Sequence, residues 1–442
     1  MKHNFFKYSI GALSLIIAGF INTPAFCQYK FSNCPYGASS AMLPSGNESY
    51  DAIDFSKVYL DLSSEFYLNS NGLTNQFISD FYNGKFLNEP LKTKNLNRLN
   101  TQNNLFGYIF NTGLSVNIPA KRNGISYYAA YENHNFMELQ FHKNFFNIVF
   151  FGNKDFADQY ASLDKQSMKI LNYQQIKAGI VKTWFKKNSV SVFSAGIGIN
   201  NGQNILEYNI PKATFFTQKE AEYFSLDMNM SMKRSDTLNS KFGAENGSGL
   251  SVDLSYYHRD SRSSFEIKVE DLGYIRWNKN SQQYTKDTLV YFDGIEIKNI
   301  LDINSQTIKG MSGDSILNAF AFANKTKAFT EMIPMKASIN YTRYFFHDKL
   351  SLSLSLIEYH FLHFKPLIRF VPSYNIPVKR SKICIAPSFE YGGYGKFNCG
   401  LGVSASVYRK FYIELNTGFI NAYAGSQNAA GLGAMVSIIK TL

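Results

Sequence analysis

The sequence predicts an all-β chain: a closed antiparallel transmembrane β-barrel of about 14–16 strands, with long extracellular loops, a short helix and a plug segment. Three observations carry this. Apolar residues alternate with small or polar ones over runs of about 10–14 residues, longer than the roughly 5–6 of an average soluble strand and suited to the roughly 9–11 of a tilted spanning one. Charged residues are only 18%, while 39 Phe and 29 Tyr stand beside 2 Trp. Very short connections alternate with very long ones. A mean hydropathy of -0.21 excludes a bundle of membrane helices.

At the N-terminus, Lys2 and Lys7 form a positive n-region, and Ile10–Ile21 is an apolar stretch too short to span a bilayer comfortably. Ala25 and Cys27 supply the small residues of a signal-peptidase site. Residues 1–27 are therefore expected to be a signal peptide, with Gln28 the first mature residue. Phe26 is too large for the position before a lipoprotein cysteine, which argues against lipid on Cys27. Residues 28–55, rich in Ser, Gly, Pro and Asn, are expected to be a lead-in or plug, and residues 56–442 the barrel.

Period-two alternation dominates the mature chain. Val58, Leu60 and Leu62 alternate with Tyr59, Asp61 and Ser63, and Leu350, Leu352, Leu354 and Leu356 form a ladder with Ser351, Ser353 and Ser355 between them. Val190 and Val192, and Leu250, Val252 and Leu254, repeat the pattern. Alternation puts every second side chain on one face of a strand. The long runs are Gly107–Pro119, Gln174–Phe185, Ser189–Asn200, Ser248–His258, Met335–Phe345 and Lys396–Tyr408. Ala195, Gly196 and Gly198, like Gly400, Gly402 and Ser404, would weaken a soluble strand but relieve crowding on a barrel's inner wall. The last strand carries Leu432, Ala434, Val436, Ile438 and Leu442 on one parity, interrupted by Lys440. Such a strand suits recognition by barrel-insertion machinery.

Short connections fall at 121–124, 186–188, 259–262, 347–349, 378–382 and 409–410. Long ones fall around 70–106, around 135–172 and across 274–334. Short turns on the periplasmic side and long loops outside is the outer-membrane pattern. Without Lys2 and Lys7 the formal charge of +12 becomes +10. The short turns hold it: Lys121, Arg122, Lys186, Lys187, Arg259, Arg262, Lys349, Lys379, Arg380, Lys382, Arg409 and Lys410, offset by Asp260 and Asp348. This reads as a ring facing anionic headgroups or the cell wall, not as a nucleic-acid footprint.

Beyond Cys27, three cysteines remain: Cys34, Cys384 and Cys399. None has CxxC spacing, so no zinc site is expected. Cys384 and Cys399 flank the turn Tyr391-Gly392-Gly393-Tyr394-Gly395, and two small apolar residues in neighbouring strands are favoured there over a disulfide.

One segment is more specific. Gly249-Leu250-Ser251-Val252-Asp253-Leu254-Ser255-Tyr256-Tyr257 leads to Phe265-Glu266-Ile267-Lys268-Val269-Glu270-Asp271-Leu272-Gly273-Tyr274-Ile275-Arg276-Trp277, and then to Phe292-Asp293-Gly294-Ile295. This resembles a family of outer-membrane β-barrels of unknown function from Bacteroidota. Phe151-Gly152-Asn153 resembles another element of it, a Gly-Asn after a short helix. The likeness runs from about Val58 to the end. The family is in turn similar in plan to long-chain fatty-acid-transporter barrels. It has no established catalytic residues, so the resemblance implies a place and a fold.

Chemical motifs are scarce. There is no P-loop, no HExxH and no G-x-S-x-G. Gly196-Ile197-Gly198 lies inside a strand, not before a helix. His258, His347, His360 and His363 lie in or near strands and turns, and the spacing of His360 and His363 puts them on opposite faces. No catalytic residue, cofactor or metal is expected. Two groups are singled out instead. Phe136, Leu139, Phe146, Val149 and Phe150 have mixed helical spacing and are expected to form a mouth helix, packed on the wall or folded inward. Asp271, Arg276 and Trp277 are expected to anchor the 274–334 excursion, either through an Asp271–Arg276 salt bridge across a bend or as an ordinary aromatic girdle.

The expected partners are outer-membrane lipid and the insertion machinery, with an apolar small-molecule ligand or an envelope protein partner beside them, and no nucleic acid. Two functions are compatible with this. One is a passive conduit or binding barrel for an apolar or amphipathic small molecule. The other is a non-transporting barrel that scaffolds a cell-envelope complex. What fills the lumen distinguishes them.

Overall fold

A computed structural model describes residues 28–29, 58–292 and 323–442, apart from 121–123, 220–222, 237, 240–242, 379–380, 408–410 and 427. The expected signal peptide, most of the 28–55 lead-in, the Asp293-Gly294-Ile295 stretch and six of the basic turn residues lie outside the described residues.

Twenty strands are numbered in chain order. Fourteen make a closed antiparallel wall. These are β2 (Tyr59–Ser70), β3 (Asn104–Pro119), β4 (Ile125–Phe141), β6 (Gln166–Lys186), β7 (Ser189–Thr217), β9 (Gly247–Asp260), β10 (Ser263–Trp277), β14 (Met335–Phe345), β15 (Leu350–His360), β16 (Lys365–Val378), β17 (Ser381–Gly393), β18 (Phe397–Val407), β19 (Phe411–Thr417) and β20 (Gly431–Thr441). The others are β1 (Gln28–Tyr29), β5 (Tyr160–Ser162), β8 (Phe224–Arg234), β11 (Gln282–Phe292), β12 (Ala323–Thr326) and β13 (Phe329–Met332). Closure runs through the expected last strand: β20 pairs with β2 from Tyr59–Thr441 to Asn69–Gly431. A spanning sheet must close, because an open edge would leave unpaired N–H and C=O groups in hydrocarbon.

The wall is inverted relative to a soluble protein. Leu62, Ile176, Ile197, Leu254, Ile267, Leu354, Phe370, Ile385, Val403 and Ile413 are all exposed on its outer face. Asp61, Ser63, Glu65, His134, Lys177, Ser251, Arg369, Glu390, Glu414 and Ser437 are buried on the inner one. Most of the predicted alternating runs follow this division, but Val190 and Val192 are reversed: both are buried inside, packed with Val181 and Tyr257. Short turns sit at one end, with Val58 and Leu442 beside each other there; long connections sit at the other. Arg259 and Lys382 leave the expected basic ring: both are buried, and Arg259 donates to Asp348 at 2.6 Å. Cys384 is buried inside the wall and out of register with Cys399, and the two are not joined by a disulfide.

The long connections hold more structure than their sequence showed. β7 runs 29 residues, and its second half leaves the wall to pair with β8. β8 pairs with β11, and β11 with β12, so part of the 274–334 excursion joins an arm above the barrel. β13 lies on the upper end of β10.

One junction differs from the rest. β2 and β3 lie side by side, close enough for Asn111 to donate to Glu65 at 3.2 Å. Their ladder has a single pair, Ser70–Phe106.

Tyr128 lies across β6 and β7 inside the lumen, and a Cβ at Gly196 would meet its hydroxyl within bonding range. Gly196→Leu is therefore expected to lower the temperature at which the barrel loses its heat-resistant electrophoretic form. Ala195→Leu, which adds its bulk on the opposite, outer face, is expected to change it little.

Candidate functional site

The lumen is closed by side chains in two storeys. The lower one is ionic. Lys177, from β6, reaches Glu132 on β4 at 3.1 Å, Asp253 on β9 at 2.9 Å and Asp271 on β10 at 2.8 Å. It crosses in front of β7, where Gly196 and Gly198 leave the inner face bare. Lys268 meets Glu270 at 2.8 Å, and Lys336 approaches the same carboxylate at 3.8 Å. Arg369 and Glu390 form a separate buried pair at 2.8 Å. Buried charges persist only when paired and hydrogen-bonded, because the desolvation of each ion costs several kcal/mol.

A β-bulge makes this storey possible. The β9–β10 register shifts between Val269 and Leu272, and Asp271 adopts φ 61°. The extra residue lets Glu270 and Asp271, adjacent in sequence, both serve the lumen. Aspartate tolerates the left-handed conformation better than most residues. Its backbone N–H donates to Asp253 at 2.8 Å, which ties the bulge to the next strand.

The upper storey is aromatic. Tyr67, Phe136, Tyr173, Trp277, Tyr359, Phe364, Tyr394 and Phe419 form one buried cluster with Ile109, Ile275 and Leu367. Its members come from strands all around the wall. Phe136 on β4 meets Tyr359 on β15 edge-on at 6.1 Å, and Phe364 meets Tyr394 at 5.2 Å. Two histidines border the aromatic storey. His134 stacks on Tyr173 at 4.6 Å while its ring nitrogens face Asn111, Glu132 and Gln175 oxygens at 3.1 Å. His363, in the turn after β15, meets Glu138 at 3.0 Å, and the Tyr394 hydroxyl donates to the same carboxylate at 3.2 Å. Glu138 holds the His363 imidazolium above the ordinary histidine range.

Glu132, His134 and Asp271 bring one donor atom each within 4.8 Å of one another, a spacing that suits a metal ion. The Lys177 ammonium already stands between Glu132 and Asp271, and both nitrogens of His134 are engaged by oxygen partners. The arrangement is an ammonium-centred charge cluster. A cavity of about 50 Å³ lies beside it, bounded by Ser63, Glu65, Asn111, Glu270 and Lys336 among others.

The structure brings the predicted site residues together only in part. Asp271 faces the lumen and pairs with Lys177, whereas Arg276 is exposed on the outer face. The expected Asp271–Arg276 bridge does not form, because β10 continues unbent to Trp277 and residues five apart beyond the bulge face opposite sides. Trp277 is 0% exposed inside the aromatic storey, not at a girdle. The expected mouth helix begins later than its spacing suggested. Phe136 and Leu139 belong to β4; the helix is Lys143–Phe151 and carries Phe146, Val149 and Phe150. It packs with helices Asn75–Tyr82 and Glu89–Arg98 on the rim of β3 and β4, Phe77 meeting Phe146 at 5.3 Å and Phe150 at 5.1 Å. His142 caps it, accepting from the Asn144 N–H.

The excursion has a different anchor, one the sequence did not mark. Lys169 on β6 reaches Glu207 on β7 at 3.3 Å and Glu331 on β13 at 3.2 Å, and Lys233 on β8 reaches Glu331 at 2.9 Å. Burial alone would raise the Glu331 carboxyl, but Lys169 and Lys233 hold it below the usual glutamate range. Glu207 and Glu331 are 124 positions apart in an unremarkable setting, so only pairing brings them together.

The fold and the sealed lumen define a closed transmembrane β-barrel. The chain belongs to a family of unknown function, DUF5723, whose model matches residues 52–416. No curated protein matches it. Among solved structures, it is similar to the Pseudomonas putida toluene transporter TodX at 8% identity and TM-score 0.42, covering 94% of this chain and 96% of that one. A deltaS2S3 mutant of TodX, a monoaromatic hydrocarbon channel, matches at 8% identity and TM-score 0.41, covering 95% and 96%. The translocator domain of the autotransporter NalP from Neisseria meningitidis matches at 6% and 0.33, covering 88% and 90%.

Lys177→Met leaves three carboxylates around an uncharged chain and is expected to cost about 3–5 kcal/mol, read as a lower unfolding temperature in detergent. Glu331→Gln is expected to leave the barrel heat-resistant but to speed proteolysis within 278–334. The His363–Glu138 contact has the opposite pH logic to a carboxylate pair: its stabilisation is complete below the unfolded histidine pKa and is lost as pH rises through the elevated folded value. Amide exchange around 361–364 is therefore expected to be slower at pH 5.5 than at pH 8.5, beyond the intrinsic rate difference.

Proposed function

We propose that the protein is a gated outer-membrane conduit or binding barrel for an apolar or amphipathic small molecule, shut in the state described. The order of the two storeys carries this reading. A solute arriving at the loop end meets the aromatic storey first, a chamber wall suited to apolar matter, and below it a charged floor that an apolar molecule does not cross. The wall beside that chamber is the β2–β3 junction, where Tyr67, Leu105 and Ile109 belong to the aromatic cluster and a single ladder pair joins the strands. A sideways route to the bilayer there breaks fewer backbone bonds than at any other described junction. The expected signal peptide, the basic turns and the resemblance to outer-membrane barrels of Bacteroidota support the location.

The packed lumen and the arm above it favour a second reading, a non-transporting barrel that scaffolds an envelope complex. Reconstitution separates the two. The reduced Leu68→Cys/Tyr108→Cys variant, joined across the β2–β3 seam on oxidation, is expected to carry a fluorescent apolar probe into liposomes when reduced and to stop when oxidised, with no standing ion conductance in either form. Absence of uptake by the wild type overturns the conduit and leaves the scaffold. Uptake that persists after oxidation removes the sideways route.

A further inference from the structure

Strand register turns scattered polar residues into a line on the outer wall. Asn133, Gln174, Asn201, Ser248, Arg276 and Thr330 are successive partners across β4, β6, β7, β9, β10 and β13. The row directly below them is Tyr131, Ile176, Ile199, Leu250 and Tyr274, all exposed. Toward the turn end, Trp184, Phe265 and Tyr341 share a third row through Ser191 and His258, and these three rings are exposed too. At about 3.3 Å per residue and a tilt of about 40°, the rise from Trp184 to Gln174 along β6 is about 25 Å, the height of an outward apolar band. The polar row therefore marks the edge of the hydrocarbon at the loop end.

This row is not satisfied from within. None of its six side chains has a hydrogen bond or ion pair among the described residues. One row higher the polar groups bond one another: Asn172 donates to Asn135 at 2.7 Å, Asn204 to Asn172 at 3.4 Å and Ser235 to Asn204 at 3.1 Å. Arg276 is the single charge of the unsatisfied row and is exposed on the outer face. Lys279 and Lys327 are exposed in the loops just beyond it, and Asp236 reaches the same loops through Asn280 at 3.0 Å, so cations lead. An unpaired guanidinium at the hydrocarbon edge presents a planar fork of donors that fits a phosphate. The amides and hydroxyls beside it both donate and accept, which suits sugar hydroxyls. A headgroup that carries an amine beside its phosphate would bring a cation against Lys279 and Lys327; a sugar headgroup does not.

We propose that Arg276, Ser248, Asn201 and Gln174 hold the headgroup of a phosphorylated glycolipid in the outward leaflet, with the phosphate on Arg276 and sugar hydroxyls on the other three. Neighbouring strands lie about 4.8 Å apart, so the four positions span about 14 Å, the length of about two sugar rings. The acyl chains then run down the wall over Tyr274, Leu250 and Ile199. Arg276, which the lumen does not use, thereby serves the outside of the barrel. The inference rests on the reading that the loop end faces outward, and is independent of whether the barrel conducts.

The test uses the full chain purified from membranes in detergent, with lipids added singly and the complexes read by native mass spectrometry. Monophosphoryl lipid A is the glycolipid probe, its dephosphorylated form and phosphatidylglycerol are the comparisons, and inorganic phosphate is the competitor. Wild type is expected to hold monophosphoryl lipid A about tenfold more tightly than Arg276→Gln does, the worth of one charge-assisted contact, and Arg276→Lys to recover part of the difference. The dephosphorylated lipid is expected to bind wild type and Arg276→Gln equally. Ser248→Ala with Asn201→Ala is expected to weaken the glycolipid and leave phosphatidylglycerol unchanged. Arg276 has no partner to lose, so its variants are expected to keep the heat-resistant form. Equal binding of monophosphoryl lipid A by wild type and Arg276→Gln, no preference for the phosphorylated form, phosphatidylglycerol held as tightly as the glycolipid, or full displacement by inorganic phosphate each overturns the proposal. Labelling of Lys327→Cys by an impermeant maleimide on intact cells, compared with wild type, reports orientation separately: no labelling beside tight binding in detergent overturns the outward leaflet and keeps the site.

Discussion

The rest of this barrel depends on one requirement: each backbone N–H and C=O at the level of the hydrocarbon must find a partner within the wall. That forces closure, and closure sets which strands meet. β20 must find β2 across the whole sequence, and does so over eleven residue pairs. Once the wall is closed, its outer face is committed to lipid, and most charged side chains of the spanning strands are left to one enclosed space. The crowding of charge in the lumen follows from this inversion. The same requirement makes the β2–β3 junction unusual. Where the ladder stops at Ser70–Phe106, backbone groups at membrane depth need another partner, and at Ser64–Glu65 that partner is the chain's own Gln28–Tyr29 segment.

Within the lumen, size and charge are sorted by height. Near the turn end, Ser351, Ser353, Ser373 and Ser437 keep the wall thin. At mid-height, Lys177 spans from β6 to β10, a reach that bare glycine on β7 allows. Toward the loop end, rings from both sides meet at the axis. Each layer depends on a backbone irregularity or an absent side chain in a neighbouring strand. The bulge at Asp271 serves the ionic storey, and Gly107 gives Tyr394 its seat in the aromatic one. Selection for a water-filled pore would keep this space open; here it is packed like a protein core, with the mouth helices adding a second apolar cluster on the rim.

Much of this is legible from the chain alone, for a reason visible at particular residues. Leu350–Leu356 with its intervening serines, or Met335–Phe345, announces a spanning strand because period two is a local property, and both ends of the Met335–Phe345 run coincide with β14. The helix at 143–151 starts later than its spacing implies because Phe136 and Leu139 alternate inside and outside β4 while also fitting a helical spacing. The role of Asp271 escapes the sequence because a bulge leaves no trace in composition: one inserted residue changes which faces two carboxylates share. The Lys169–Glu207–Glu331–Lys233 group escapes it because its members lie on four different strands.

By itself the sequence determined the class of fold, the strand runs, the contrast of short turns and long loops, and the sparse charge on the face that meets lipid. These are consequences of periodicity and composition, which act over neighbouring residues. Only the tertiary structure decided that there are fourteen wall strands, that the arm borrows half of β7, that Trp277 is interior, and that the lumen is shut by Lys177 and a ring of aromatics. Those outcomes turn on register and on closure, which compare residues hundreds of positions apart, and no local pattern records the distance at which Lys177 will find Asp271.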